Sequence, residues 1–149
     1  MLSVCGEPYD TLHDVIGITE NSNMGSLKEF GINYKQVDLK EDGKPNLKEI
    51  EKVLKEDESI TLVHIQRSTG YGWRRALLIE DIKSIVDCVK NIRKDIICFV
   101  DNCYGEFMDT KEPTDVGADL IAGSLIKNIG GGIRSEERRV GKECPRCVD

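Results

Sequence analysis

Three short apolar runs, spaced by stretches of helical pattern, constrain the fold of this chain more than any other feature. The runs are Ile60–Ile65, Ile96–Val100 and Asp119–Ala122, and they are continuous rather than alternating. Such runs are typical of parallel strands buried on both faces of a sheet. Between the first two, Glu80–Arg93 has apolar residues at helical spacing. We therefore predict an α/β fold of three layers, with a mainly parallel sheet and helices on both faces.

The first half of the chain predicts the same alternation of elements. Asp10 is suited to cap a short helix, and Pro45 is suited to begin a second one. Residues Met24–Phe30 could form one or two further helical turns. Residues Ile32–Leu39 alternate apolar and polar side chains, which predicts a half-covered strand.

Length and charge limit the classes of function. The chain has 149 residues and a net charge of −6, which suits one acidic domain without an electrostatic footprint for nucleic acid or an anionic membrane. Its apolar stretches are too short to span a bilayer, and Met1–Gly6 lacks the features of a signal peptide. We expect a cytoplasmic protein with reduced cysteines. His13 and His64 show no ligand spacing, so no metal site is predicted.

The composition changes at Arg134. From there to Asp149 the chain carries dense mixed charge and few apolar residues, and it resembles translated vector or adapter sequence. We expect residues 1–133 to form the domain and 134–149 to be a non-native or disordered tail. A native charged helix is the alternative for this segment.

A lysine and an aspartate follow two of the predicted strands. Asp101 ends the run Ile96–Val100, and Lys127 comes 26 residues later, just after the next predicted strand. Each residue alone is most often a solvated charge or a turn residue. Together they lie where an open parallel sheet binds ligands, at the carboxyl ends of its strands. A lysine that captures an aldehyde and an aspartate that pairs with a pyridinium nitrogen are how proteins hold pyridoxal phosphate.

Arg67 and Ser68 follow the neighbouring strand, Ile60–Ile65. Their side chains could reach the cofactor or a substrate carboxylate. An arginine at the surface in an ion pair is the equally weighted alternative.

Longer stretches around these residues resemble the fold-type-I pyridoxal-phosphate enzymes. Within them the chain is most similar to the methionine gamma-lyase and cystathionine lyase-like branch, often labelled aluminium-resistance protein. The resemblance covers about residues 1–133 and is carried by Gly6–Leu12, Gln66–Ser68, Val100–Phe107 and the stretch from Glu112 to Gly132. It implies that this chain is an internal piece of the large cofactor-binding domain.

The resemblance also assigns roles. Lys127 would hold the cofactor covalently, and partial burial that lowers its pKa would help its amine react. Asp101 would pair with the ring nitrogen, Tyr104 would reach the ring oxygen and Ser124 would contact the phosphate. Tyr104 as ordinary packing and Ser124 as a turn residue are the alternatives.

The same resemblance implies a carbon-sulfur lyase that acts on a sulfur amino acid, in a parent protein that forms a homodimer or homotetramer. The phosphate-binding loop would lie upstream of Met1 and the substrate-binding domain beyond this segment, so we expect the fragment to be inactive alone. A non-catalytic α/β nucleotide- or flavodoxin-type binding module is the competing hypothesis. Its usual glycine-rich turn after the first strand is not supplied by Cys5–Pro8. A truncated, inactive gene product is compatible with the lyase hypothesis.

Overall fold

Strands and helices alternate along the chain. The structure is a computed structural model that describes residues 1–19, 25–128 and 136–140. Within these ranges no helix is both long and apolar enough to cross a membrane. The elements are β1 (Leu2–Ser3), α1 (Thr11–Ile16), β2 (Lys35–Gln36), α2 (Leu47–Glu56), β3 (Leu62–Gln66), α3 (Ile79–Ile92), β4 (Ile97–Asp101), a 3-10 helix (Pro113–Val116), β5 (Leu120–Ser124) and β6 (Glu136–Val140).

The strands form one sheet in the order β2-β1-β3-β4-β5-β6. Every pairing among β1 to β5 is parallel, and β6 runs antiparallel to β5. The three apolar runs of the sequence therefore lie side by side as β3, β4 and β5, as predicted. The prediction of an α/β fold with a mainly parallel sheet is confirmed.

One face of the sheet packs against α2 and α3. Alternate residues of the strands, including Val63, Cys98 and Val100, join a single core with the apolar stripes of both helices. Ile50 and Leu54 of α2 are fully buried in this core, and burial of each such side chain contributes about 1.5–3 kcal/mol. Both helices contribute to this core.

Two predicted elements differ from the structure. The strand expected over Ile32–Leu39 is reduced to β2, because only Lys35 and Gln36 pair with β1 and both are exposed. Ile32 is 40% exposed, but Val37 is 3% exposed and lies in the core, so only the second half of the alternating stretch presents a buried face. Residues 27–31 form a turn rather than a helix, and Gly31 in that turn has φ 82°. Residues 20–24, which include the start of that predicted helix, lie outside the described residues.

The segment from Arg134 is only partly described. Glu136–Val140 form β6 and pair with β5 over its whole length. The other residues of 134–149 lie outside the described part of the chain. The non-native or disordered tail stays a prediction.

Candidate active site

Lys127 and Asp101 lie at the same edge of the sheet. Asp101 is the last residue of β4 and pairs with Ala122 of β5. Lys127 follows the end of β5 by three residues, in a turn where its backbone N–H donates to the carbonyl of Ser124 at 3.1 Å. The parallel sheet thus brings the carboxyl ends of two adjacent strands together, and each strand presents one of the two charged residues.

Cys103 lies between these two residues. Its backbone N–H donates to Oδ1 of Asp101 at 3.0 Å. Its thiol interacts with both the Asp101 carboxylate and the Lys127 amino group. Burial, and then the negative charge of Asp101, raise the pKa of the Cys103 thiol to about 12. The thiol is therefore protonated and uncharged at neutral pH.

The pKa of Lys127 is raised above its ordinary value. Partial burial acts to lower it, as the sequence led us to expect, but the opposing contributions are larger. These are the hydrogen bond with Cys103 and, at neutral pH, the negative charge of Asp101. The amino group is therefore held as a cation, and it must give up a proton before it can react as a nucleophile.

Tyr104 covers the Lys127 amino group. The centroid of its ring lies 5.0 Å from Nζ, which is within the range of a cation–π contact. Tyr104 has φ 66°, a left-handed conformation that is unfavourable for a residue with a side chain. The loop that follows β4 is thus held in a conformation that places this ring beside the lysine.

Arg67 is buried and bound to that same loop. It is 7% exposed, and its Nη1 donates to Oδ1 of Asn102 and to the carbonyl of Gly105, both at 2.9 Å. A Cβ atom at Gly105 would lie 2.5 Å from Cδ of Arg67, so only glycine fits against the guanidinium. Arg67 is therefore not a surface arginine in an ion pair, which was the alternative considered from the sequence. A contact between Arg67 and a cofactor or substrate stays a prediction.

A cleft of about 400 Å³ opens between the loops that follow β3 and β4. Its lining includes Arg67, Ser68, Tyr104 and Met108. The carbonyl of Ser68 accepts a hydrogen bond from the guanidinium of Arg74, which holds the first loop in place. Asp101, Ser124 and Lys127 do not line this cleft. The predicted residues thus fall into two neighbouring groups, with Tyr104 in both.

Ser124 is buried beneath the Lys127 turn. It is fully inaccessible, and its backbone N–H donates to Oε1 of Glu106 at 2.5 Å. Within the part of the chain that the structure describes, its Oγ has no hydrogen-bond partner. Buried hydroxyl groups are nearly always paired, so this one is available to a ligand or an ordered water.

Sequence reasoning missed Cys103, Glu106 and Arg74. Cys103 and Glu106 stand in the stretch that follows β4, but nothing in their residue types marks them as buried against Lys127 and Ser124. The two glycines that make room for side chains here, Gly105 and Gly123, were the available signal. In the described ranges, no group of three or more His, Cys, Asp or Glu side chains is arranged to hold a metal ion.

Comparison with known proteins gives consistent matches. The sequence profile of the methionine gamma-lyase family matches residues 1–143. The uncharacterized protein YnbB of Bacillus subtilis (strain 168) is 47% identical over 133 residues, which are 89% of this chain and 31% of that protein. This chain therefore spans about a third of the length of that relative.

Solved structures show the same relationship. A carbon-sulfur lyase involved in aluminum resistance from Clostridium novyi NT is 97% identical, with TM-score 0.84 over 89% of this chain and 31% of that one. A second solved structure is that of a protein from Clostridium acetobutylicum, named as a proposed cystathionine beta-lyase involved in aluminum resistance. It is 56% identical, with TM-score 0.88 over 96% of this chain and 34% of that one. The pyridoxal-5'-phosphate dependent protein YhfS of Escherichia coli shares only the fold with this chain. Its sequence is 14% identical, with TM-score 0.56 over 81% of this chain and 27% of that one.

Proposed function

The chain belongs to the methionine gamma-lyase family, and we propose that it is the cofactor-binding part of a pyridoxal-phosphate-dependent lyase that cleaves a carbon–sulfur bond in a sulfur amino acid. The observation that carries the proposal is the position of Asp101 and Lys127 at the carboxyl ends of adjacent strands, with Cys103 bound to Asp101 through its backbone N–H. An amine and a carboxylate at adjacent strand ends suit the two ends of a pyridine aldehyde.

The residues present fit this cofactor. Lys127 supplies the amine that would hold its aldehyde carbon, and Asp101 supplies the anion for its ring nitrogen. The buried Oγ of Ser124 lacks a partner and suits a phosphate oxygen. The backbone N–H of Ser124 already donates to Glu106, so the hydroxyl rather than the amide is the group left for the ligand.

When bound, pyridoxal phosphate supplies an electron sink for the negative charge that develops at the substrate's alpha carbon. The carboxylate of Asp101 favours a protonated ring nitrogen through a charge-assisted hydrogen bond. The amino group of Lys127 is the proton carrier beside the substrate, and Cys103 and Tyr104 hold it near Asp101. In a carbon–sulfur lyase reaction of this class, a thiol, ammonia and a 2-oxo acid would be released.

The chain alone supplies only part of such a site. It spans about a third of the length of its relatives, and the helix N-terminus expected to bind most of the phosphate would come from outside this segment. The same holds for the domain expected to bind the substrate carboxylate. We therefore propose that the 149-residue chain is inactive in isolation.

We also propose that the parent protein works as a homodimer or homotetramer. Exposed apolar side chains beside the site support this, because Tyr104, Phe107 and Met108 are 61%, 69% and 69% exposed on one loop. Contiguous apolar surface of this kind is typical of a face that another chain covers. Light scattering on a polypeptide of the relatives' length that contains this segment would measure the assembly, and a monomer would contradict the proposal.

The chemical test uses the same longer polypeptide. It is incubated with pyridoxal phosphate, reduced with borohydride and digested, and the modified lysine is identified by mass spectrometry. We expect the modification at Lys127, together with release of a thiol from a sulfur amino acid before reduction. Modification of a different lysine, or folded protein without any modification, would refute the proposed function.

A further inference from the structure

Glu106 ties the loop that follows β4 to the turn that carries Lys127. Its side chain is 9% exposed, and Oε1 accepts a hydrogen bond of 2.5 Å from the backbone N–H of Ser124. Its backbone carbonyl accepts a second one, of 3.2 Å, from Nδ2 of Asn128. Ser124 and Asn128 stand on either side of Lys127, so one residue holds both ends of the lysine turn.

The sheet makes room for this carboxylate. A Cβ atom at Gly123 would lie 2.8 Å from Oε1 and 3.0 Å from Cγ of Glu106. Gly123 does not have a positive φ, so what it provides here is space. The Glu106 side chain therefore lies directly against the end of β5.

One of the two side-chain oxygens of Glu106 is buried without being used in a hydrogen bond within the described residues. Among the described residues, the buried Oε2 of Glu106 has no hydrogen-bond partner, and neither has Oγ of the neighbouring Ser124. Leaving a carboxylate oxygen unpaired in the interior costs free energy. Such unsatisfied buried groups call for a specific explanation, and functional sites are one place where they are found.

The loop that carries Glu106 is itself fixed. Arg67 donates to Asn102 and to the carbonyl of Gly105, the residue before Glu106. The Glu112 carboxylate accepts from Nδ2 of Asn102 at 2.7 Å and from the N–H of Phe107 at 2.9 Å. A loop anchored at these points gives Glu106 a stable position from which to hold the turn.

We propose that Glu106 is a positioning residue that sets the place of the Lys127 amino group relative to Asp101 and Cys103. This inference rests on the proposed function for its catalytic meaning, since Lys127 is the residue to be positioned. Its geometry can be tested without any cofactor. Among the described residues, the groups that raise the pKa of Lys127 are Cys103, Asp101 and Tyr104. We therefore expect a change at Glu106 to act on Lys127 through the position of the lysine, and the Glu106→Gln variant tests whether the charge of Glu106 contributes.

The experiment measures the reactivity of Lys127 in the 149-residue chain. Trace acetylation over a range of pH, read by mass spectrometry, gives the pH midpoint and rate for Lys127 relative to exposed Lys48 on α2. In Glu106→Ala the N–H of Ser124 loses its acceptor, while the contact of Asn128 with the backbone carbonyl of residue 106 remains. We expect the lysine turn to shift at its Ser124 end and the amine to move away from Cys103 and Asp101. We expect the midpoint to fall toward the ordinary value of 10.5. A lower midpoint means that a larger fraction of the amine is neutral at a given pH, so Lys127 should be labelled faster relative to Lys48 below the midpoint.

Two variants separate position from charge. Glu106→Gln removes the charge but keeps an oxygen that accepts from Ser124, and we expect wild-type labelling within about twofold. Gly123→Ala keeps the carboxylate but displaces it, and we expect the same change as in Glu106→Ala. If Glu106→Ala does not fold, the Lys127 midpoint measured in Gly123→Ala tests the proposal in its place.

The matched control for general stability is Asp119→Asn. Asp119 also accepts a strand N–H, that of Cys98 at 2.7 Å, but at the opposite ends of β4 and β5. We expect no change in the Lys127 midpoint in this variant. The proposal is overturned if folded Glu106→Ala, or Gly123→Ala when the former is unfolded, leaves the Lys127 midpoint unchanged. It is equally overturned if Asp119→Asn shifts the midpoint as much.

A second measurement separates this proposal from the proposed function. In the longer polypeptide with pyridoxal phosphate, we expect covalent attachment at Lys127 to be at least about tenfold slower in Glu106→Ala than in Glu106→Gln, a difference of about 1.4 kcal/mol in barrier. Equal attachment rates in the two variants would refute the positioning role. A shifted labelling midpoint without any attachment at Lys127 in the wild type would refute the proposed function and leave the positioning role intact.

Discussion

The amino group of Lys127 lies 5.0 Å from the centre of the Tyr104 ring, and the residue that supplies this ring has a left-handed backbone. A cation–π contact contributes about 0.5–1 kcal/mol at an exposed site. The left-handed conformation costs an amount of the same order, about 1–2 kcal/mol. The contact therefore does not explain the loop by itself. Arg67 and Glu112, which bind the loop from two sides, impose the conformation that places the ring.

Replacement of Lys127 by alanine should abolish the visible absorbance of the lysine-bound cofactor. The expectation applies to a polypeptide of the relatives' length loaded with pyridoxal phosphate, because Lys127 is the lysine that lies beside Asp101. Lys111→Ala, on the exposed loop that follows β4, is the matched control and should keep the absorbance. Absorbance spectra of the two variants at equal protein concentration decide the matter. A spectrum of Lys127→Ala that matches the wild type would contradict the assignment.

Asp101→Ala should separate cofactor attachment from turnover. Lys127 remains, so attachment should persist, but the ring nitrogen loses its anionic partner. One charge-assisted hydrogen bond is worth about 1.5–3 kcal/mol, which corresponds to at least about tenfold in kcat. Steady-state kinetics and absorbance are measured together, with Asp87→Ala on the exposed face of α3 as the control. A wild-type kcat in Asp101→Ala would show that Asp101 does not pair with the ring nitrogen of the cofactor.

Gly105→Ala should destabilise the fold through a steric clash. The new methyl group would meet Cδ of Arg67 and Oδ1 of Asn102, each at 2.5 Å. Overpacking of this kind costs about 1–3 kcal/mol of unfolding free energy. Gly72→Ala is the control, because its Cβ would come no closer than 3.3 Å to the carbonyl of Thr69. Urea denaturation of both variants measures the difference, and equal midpoints would show that Arg67 moves aside without cost.

Cys98 should make the fold less stable at alkaline pH. Burial raises the pKa of its thiol from 9.0 to about 12 in the folded chain. The folded state therefore holds the proton over a pH range in which the unfolded state releases it, and stability falls as pH rises above 9. At pH 10 this group should cost about 1 kcal/mol of unfolding free energy relative to pH 7.

Cys98→Ala tests this prediction by removing the titrating group. The cavity it leaves has the same cost at both pH values, so the comparison is the loss of stability between pH 7 and pH 10 in each protein. Urea denaturation should show a smaller loss in the variant by about 1 kcal/mol. Equal losses in both proteins would mean that Cys98 does not titrate as its burial indicates.

The central sheet could be predicted from the sequence, and its first strands could not. The runs that became β3, β4 and β5 are continuous and apolar, and such runs leave a strong pattern. Only β3 is covered on both faces, because Ile97 of β4 is 41% exposed. β2 pairs through only two exposed residues. Its extent is decided by where β1 offers a partner, which is tertiary information that the alternating pattern of Ile32–Leu39 does not contain.

Site residues whose positions follow from the order of the strands could be predicted from the sequence. Site residues whose positions depend on the conformation of a loop could not. Asp101 and Lys127 each follow a strand, so the parallel sheet alone brings them together. Cys103 and Glu106 reach Lys127 and Ser124 only because the loop that follows β4 folds back over β5. The raised pKa of Lys127 was missed for the same reason, since its hydrogen bond is with Cys103, which lies on that loop.

The spatial order of β3, β4 and β5 repeats their order along the chain. All residues of the candidate site therefore come from one uninterrupted stretch, 67–128, and each new strand docks beside the strand made just before it. Contacts that are short in sequence close quickly and at low entropic cost. On a ribosome, the lysine and its aspartate can meet as soon as this stretch has emerged, while the rest of a longer polypeptide is still being translated.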